Sequence, residues 1–270
     1  MRLYREYAPE LALAAIEKLS PRLEPASITH LVVASCTGFV APGIDQIIAR
    51  RLGLGDDVER LLVGFMGCYA AIAALRSARH IARSCLNARI LVVTVELSTI
   101  HLQPDSTIEP LLAMLQFGDG AAAALVETKG EGLSIEAPFS LALPDSGDLI
   151  RWHIGDQGFA MHLSGEVPHR ISLALGSPET REIIGNSGKS THWAVHAGGR
   201  SILDAVAEGL ELSPQALDPS RSILRDYGNM SSSTLMFALS HFMGEPSGSG
   251  TALAFGPGLA CEGFHFGWTD

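Results

Sequence analysis

The sequence predicts an α/β fold built from layered sheets. Short apolar, β-branched runs such as Ile28–Ser35 and Arg89–Glu96 alternate with helix-like segments along the whole chain. Most of these runs stop at glycine- or proline-bearing junctions, which separate one element from the next. The 270 residues are 47% hydrophobic and only 18% charged, which is enough apolar material for a sizeable core.

Residues 4–19 read as an amphipathic helix and Ile28–Ser35 as a strand. Pro42 and Gly43 open a helix over Ile44–Leu52, with proline near its first turn. Val58–Val63 is a second strand, followed by an Ala- and Leu-rich helix from about Cys68 to Ser84. Arg89–Glu96 is a strand of the buried type. A loop with Pro104 and Asp105 leads to a helix over Thr107–Leu115, and Phe117–Gly120 is a turn before a strand over Ala121–Glu127.

The second half starts near Lys129-Gly130. It reads as a short strand (Leu133–Pro138), a hairpin over 148–163 and a helix over Pro168–Ile184. A strand end (Trp193–His196) and helices over Arg200–Glu208, Pro214–Asp226 and Ser231–Met243 follow. Two strands close the chain, Thr251–Phe255 and an alternating run over 259–268. This gives two halves, 1–130 and 131–270.

A net charge of −10 argues against nucleic acid or an anionic membrane as the main partner. Four cysteines, at 36, 68, 85 and 261, lack metal-ligand spacing and are too few to staple a chain this long. A reducing cytoplasm, no metal and no membrane insertion are therefore expected; no apolar run reaches membrane-spanning length.

Cys68, in Gly64-Phe65-Met66-Gly67-Cys68-Tyr69-Ala70-Ala71, stands where a strand stops and a helix begins. A helix start favours the thiolate, which is the nucleophilic form. An isolated cysteine is more often a small buried hydrophobe, and Cys85 and Cys261 are read that way. Cys36 follows a strand directly and could line a pocket. His196 ends an apolar strand before two glycines, which permit close approach of a ligand, although a histidine capping a strand is also ordinary. Asn229, between Gly228 and Met230, could equally be a common turn or cap residue.

The three together are more specific. A histidine beside Cys68 would lower the thiol from about 8.5 into roughly 3.5–7.5 and prepare it to attack a thioester. His196 and Asn229 can both donate to one oxyanion. A neutral amide stabilises a developing enolate where a carboxylate would repel it, which points to decarboxylative condensation rather than hydrolysis.

With these segments identified, the chain resembles the type III polyketide synthases, the chalcone and stilbene synthase family. The resemblance runs through ITHLVVASCTGFVAPGID, VGFMGCYAA, ARILVVTVEL, FGDGAAAALV, WAVHAGGRSILD, LRDYGNMSSST and FGPG. It implies a thiolase-like layered αβαβα fold, a homodimer, and iterative condensation of malonyl-CoA onto an acyl-CoA starter. The CoA thioesters would be substrates, and no cofactor is implied.

Cys68 matches the family's nucleophile, and His196 and Asn229 match the pair that supports decarboxylation. Phe117 matches the gatekeeper phenylalanine, and the second gatekeeping aromatic falls on Met161. Cys36, Ser98 and His101 fall where the family shapes its cavity. Ala41 matches the position that reaches into the partner's cavity. Trp152 lies near where plant enzymes often keep a small residue. The motif wording is closer to bacterial alkylpyrone and alkylresorcinol synthases than to plant chalcone synthases, which implies an aliphatic starter and pyrone or resorcinol products. Family members usually carry a long stretch before the segment matching residues 1–20. That stretch supplies a strand, helices and CoA-contacting basic residues, so the N-terminal half is expected to be incomplete.

Two other readings stay open on the sequence. One is a ketoacyl synthase III-like enzyme that condenses once. The other is an inactive chain that only binds acyl-CoA or dimerises.

Overall fold

A computed structural model of the chain describes residues 1–104, 107–184, 190–244 and 248–269. Asp105, assigned to a loop from the sequence, lies outside these residues. Helix α1 (Arg2–Glu17) buries Tyr4, Ala8, Ala12 and Ile16, spaced about one turn apart. With α2 (Ile44–Leu52) it covers the outer face of a four-stranded sheet formed by β1 (His30–Ser35), β2 (Glu59–Gly64), β3 (Ile90–Leu97) and β4 (Asp119–Val126). The strand order is β2-β1-β3-β4, parallel except for β4. Strands β1 and β3 bury every residue, as central strands covered on both faces must. Strand β2 lies at the edge and leaves Leu61 and Leu62 exposed.

Behind this sheet runs α3 (Ala70–Ser84), and α4 (Ile108–Gln116) precedes β4. The second sheet uses β5 (Gly132–Leu133), β6 (Glu136–Ala142), β9 (His192–Val195), β10 (Ser249–Gly256) and β11 (Ala260–Thr269). Strands β7 (Ile150–Gly155) and β8 (Gly158–Leu163) form a separate antiparallel hairpin, as the alternation over 148–163 predicts.

Helices α5 (Val167–Gly176), α6 (Pro178–Ile184), α7 (Arg200–Gly209) and α8 (Asp218–Tyr227) belong to the outer side of the second sheet, where α5 and α7 share a core with β9 and β10. Helix α9 (Ser232–Ser240) joins α3 between the two sheets, in one core with side chains of β1, β3, β10 and β11. The layers are thus α, β, α, β, α, as expected.

Some boundaries differ from the sequence reading. The helix expected over 168–184 breaks at Ser177, whose ψ of 142° is extended. The residue before a proline is pushed out of the helical region, and Pro178 follows it. The short strand expected over 133–138 becomes β5 and a longer β6. Among the described residues strand β6 pairs only with β11, and a free edge tolerates Pro138. The helix expected from Pro214 starts at Asp218, with Pro219 in its first turn.

Candidate active site

Strand β2 ends at Gly64, and the chain reverses through Phe65 (φ 55°) and Gly67 (φ 74°) into a 3₁₀ turn, Gly67–Tyr69, that carries Cys68 to the start of α3. Positive φ at a phenylalanine is costly and is held here by surrounding structure. Gly67 is needed for space as well as conformation: a Cβ there would lie 2.5 Å from the Pro257 ring. The Gly256-Pro257-Gly258 loop therefore packs directly onto the cysteine turn. Behind the turn, Cys36 Sγ accepts the Gly67 N–H at 3.0 Å.

His196 follows β9, and its backbone N–H donates to Leu253 O at 2.8 Å. Its side chain is buried, and neither ring nitrogen has a hydrogen-bond partner among the described residues. Burial pushes the imidazole down to about 3. Asn229 is held by main-chain bonds on both sides. Its N–H donates to Gln116 O (3.1 Å), and its carbonyl accepts from Gly118 N–H (2.9 Å). This pairs Asn229 with Phe117 as a parallel bridge. Its side-chain Oδ1 accepts from Ser231 N–H at 2.9 Å, and its Nδ2 donates to Gly198 O at 3.2 Å. The Gln116 amide donates to the same carbonyl.

A cavity of about 40 Å³ is lined by Cys68, His196, Asn229, Gln116 and Phe117, among others. A second, larger one of about 160 Å³ is bounded by Ser98, His101, Ala113, Met114 and Phe159, among others. Phe117, Trp152 and Met161 line both. The structure thus brings Cys68, His196 and Asn229 to one cavity, with Phe117, Met161 and Trp152 between it and its neighbour. Ser98 and His101 belong to the larger cavity. Cys36 lines neither and sits behind the cysteine turn, while Ala41 is exposed on the surface.

Burial pushes the Cys68 thiol up to about 12; the Ser231 hydroxyl and the Asn229 amide act in the opposite direction, and the Glu96 charge reinforces burial. The lowered thiol expected from the sequence is not found in this substrate-free geometry. A lone thiolate and a lone imidazolium are each disfavoured; proton transfer from Cys68 to His196 would create both charges together, where they attract.

Three contributors escaped the sequence reading. Glu96, fully buried in β3, accepts from Ser232 Oγ, from Cys36 N–H (2.9 Å) and from Thr37 Oγ1 (2.9 Å). It ties the loop after β1 to the start of α9. Burial raises its carboxyl to about 7 against these donors. Its signal in the sequence was a single carboxylate closing an otherwise apolar run. Ser231, with φ 48° and a fully buried side chain, lies near enough to favour the Cys68 thiolate, yet its hydroxyl makes no hydrogen bond of normal geometry among the described residues. Gln116 precedes the gatekeeper position and orients the carbonyl that Asn229 also uses; its sequence context gives no signal.

The family model for the N-terminal domain of chalcone and stilbene synthases matches residues 5–130, and that for the C-terminal domain matches residues 134–267. The chain belongs to the chalcone and stilbene synthase family. It is 33% identical to Type III polyketide synthase B of Arabidopsis thaliana, over 96% of this chain and 71% of that protein.

Among solved structures, PKS-I from the brown alga Ectocarpus siliculosus superposes with a TM-score of 0.90 at 30% identity, covering 99% of this chain and 76% of that one. The C-terminal type III polyketide synthase domain of Steely1, a type I/III hybrid from Dictyostelium, gives 0.89 at 26%, covering 100% and 79%. Members of this family are transferases that use acyl-CoA and malonyl-CoA, and the layered fold is theirs. Among the described residues no helix is long and apolar enough to cross a membrane, and no group of three His, Cys, Asp or Glu could hold a metal ion.

Proposed function

We propose that this family member condenses malonyl-CoA iteratively onto an aliphatic acyl-CoA starter and releases pyrone or resorcinol-type products. The observation that carries the reading is a pair of neighbouring cavities that share lining residues. Cys68, His196 and Asn229 face a small chamber that shares Phe117, Trp152 and Met161 with a larger chamber lined mostly by apolar side chains.

Cys68 Sγ gives its proton to His196, attacks the starter thioester and expels CoA as a thiol, leaving the acyl group on sulfur. Malonyl-CoA then loses CO₂, and its electron pair becomes an enolate whose oxygen His196 and Asn229 stabilise as donors. The enolate carbon attacks the Cys68-bound thioester and frees the sulfur, giving a chain two carbons longer on CoA. Return of that chain to Cys68 begins the next round. A neutral Asn229 suits the enolate, and a Met at 161 leaves a pliant boundary between the chambers.

A second copy fits the exposed edge of the first sheet. Leu61 and Leu62 on β2, with Phe39 and Phe65 beside it, are exposed apolar residues on or next to an edge strand. The proposed homodimer uses this edge, with Ala41 close by on the same loop as Phe39. Four free cysteines suit a reducing cytoplasm.

Incubating the purified chain with malonyl-CoA and acyl-CoA starters of graded length, with mass detection, tests the reading. Pyrones or resorcinols from aliphatic starters are expected. A preference for aromatic starters refutes the starter assignment, and a single β-ketoacyl product favours the one-condensation enzyme. No turnover by a chain that folds, with Cys68→Ala behaving identically, favours a binding-only role.

A further inference from the structure

We infer that His101 is a positioning residue that clamps the β7–β8 hairpin against the active-site loops and thereby fixes the wall between the two chambers. The hairpin supplies Trp152 and Met161 to both cavities, yet its strands pair only with each other among the described residues. A two-stranded hairpin is marginal by itself. Its base is anchored by Ile150 and Leu163 in the second core. Its outer part carries exposed Ile154, and the buried residue there, Phe159, lies outside that core.

His101 meets that outer part. It ends the 3₁₀ turn after β3, Ser98–His101. Its Nδ1 accepts the Phe159 N–H at 3.2 Å, and its Nε2 lies 2.6 Å from Thr37 O. A carbonyl only accepts, so Nε2 carries the hydrogen and Nδ1 the lone pair: one neutral tautomer satisfies both bonds. The ring also stacks on Phe159 at 4.2 Å between centroids and 11° between planes. Gly158 permits this approach. A Cβ there would lie 3.2 Å from His101 Nδ1, at a φ of 145° that side chains rarely adopt.

Phe159 passes the constraint on, through edge contacts with Trp152 (6.0 Å) and with Phe65 (5.7 Å) in the turn before Cys68. Thr37, the other partner, bonds Glu96 through its hydroxyl. Both ring nitrogens of His101 are therefore engaged by protein, so the residue bounds the larger chamber without a polar atom free for substrate. Its effect on specificity runs through the hairpin. The consequence for product length rests on the proposed synthase activity; the clamp itself does not.

Hydrogen exchange followed by mass spectrometry tests the clamp without requiring turnover. In His101→Phe, which retains a flat ring but loses both hydrogen bonds, amides of 150–163 should exchange about tenfold faster or more. Peptides from β10 and β11 should be unchanged. His101→Asn places an acceptor near the Nδ1 position and should restore most of the protection at Phe159. In an active preparation, His101→Phe should also spread product chain lengths where wild type gives a narrow set. Wild-type exchange over 150–163 in His101→Phe, or loosening spread evenly over the whole chain, overturns the clamp. A narrow, unshifted product set alongside a loosened hairpin overturns its role in specificity.

Discussion

Replacing Glu96 with glutamine isolates a buried charge effect whose size and sign follow from the structure. The carboxyl is inaccessible, and burial moves it from 4.5 to about 7. Between those values the unfolded chain has released a proton that the folded chain still holds. Stability therefore falls as pH rises through that window, by about 3 kcal/mol in all. His196 acts the other way. Moved from 6.5 to about 3 by burial, it is neutral in the folded chain where the unfolded chain is charged, so stability rises with pH up to about 6.5. Across the shared window the two slopes nearly cancel in wild type.

Glutamine preserves shape, and the Ser232 hydroxyl can turn from donor to acceptor for its new amide. The difference between variant and wild type should therefore be small at pH 4.5. By pH 7.5 it should grow to about 3 kcal/mol in favour of Glu96→Gln, or roughly 6–12 °C in Tm. Urea unfolding at fixed protein concentration, followed by circular dichroism at pH steps across this range, measures it. Tyr4, Cys36 and Cys68, whose protons the Glu96 charge helps to hold, stay protonated across this range, so they drop out of the difference. A difference constant to within about 0.5 kcal/mol refutes the assignment of a buried, titrating Glu96.

Cys68→Ala should fold normally and lose condensation by about 10³ or more, while His196→Ala and Asn229→Ala should each cost about 10²–10³ in turnover, read by product formation at saturating substrate. In the substrate-free protein, iodoacetamide labelling of the Cys68 peptide should keep rising beyond pH 9, because burial holds the thiol near about 12; a plateau near neutrality would show a resting ion pair instead. Gly67→Ala should destabilise by about 1–3 kcal/mol, since the new methyl meets Pro257 and the backbone is left-handed there, with denaturant midpoints as the check.

The parts of this site legible in the sequence share one property: local punctuation. Cys68, His196 and Asn229 each stand at an element boundary within two residues of a glycine, so both the fold class and these residues follow from short-range pattern. Glu96 had no such mark. Written at the end of a strand of the buried type, it carries no mark of its partners; only the packing of α9 behind β3 makes it an acceptor for Ser232. Ser231 depends on a backbone angle that composition does not encode. The protonation of Cys68 departs from the sequence expectation for a related reason. Sequence names the neighbours that favour a thiolate, whereas the dominant influence is exclusion of water, which arises when two sheets close over α3 and α9.

That closure also links the gate to the chemistry. Phe117, which lies between the chambers, and Asn229, which donates to the enolate in the proposed mechanism, are bridged through their main chains, and Gln116 accepts the Asn229 N–H. Any displacement of the C-terminal end of α4 must therefore move the constriction and the donor together. The same Gln116 side chain shares the Gly198 carbonyl with the Asn229 amide, two residues beyond His196. Substitutions on α4 that merely reshape the entrance should thus change turnover as well as starter preference. Substitutions on the β7–β8 hairpin touch the opposite wall without these bonds, and their effect should fall mainly on preference.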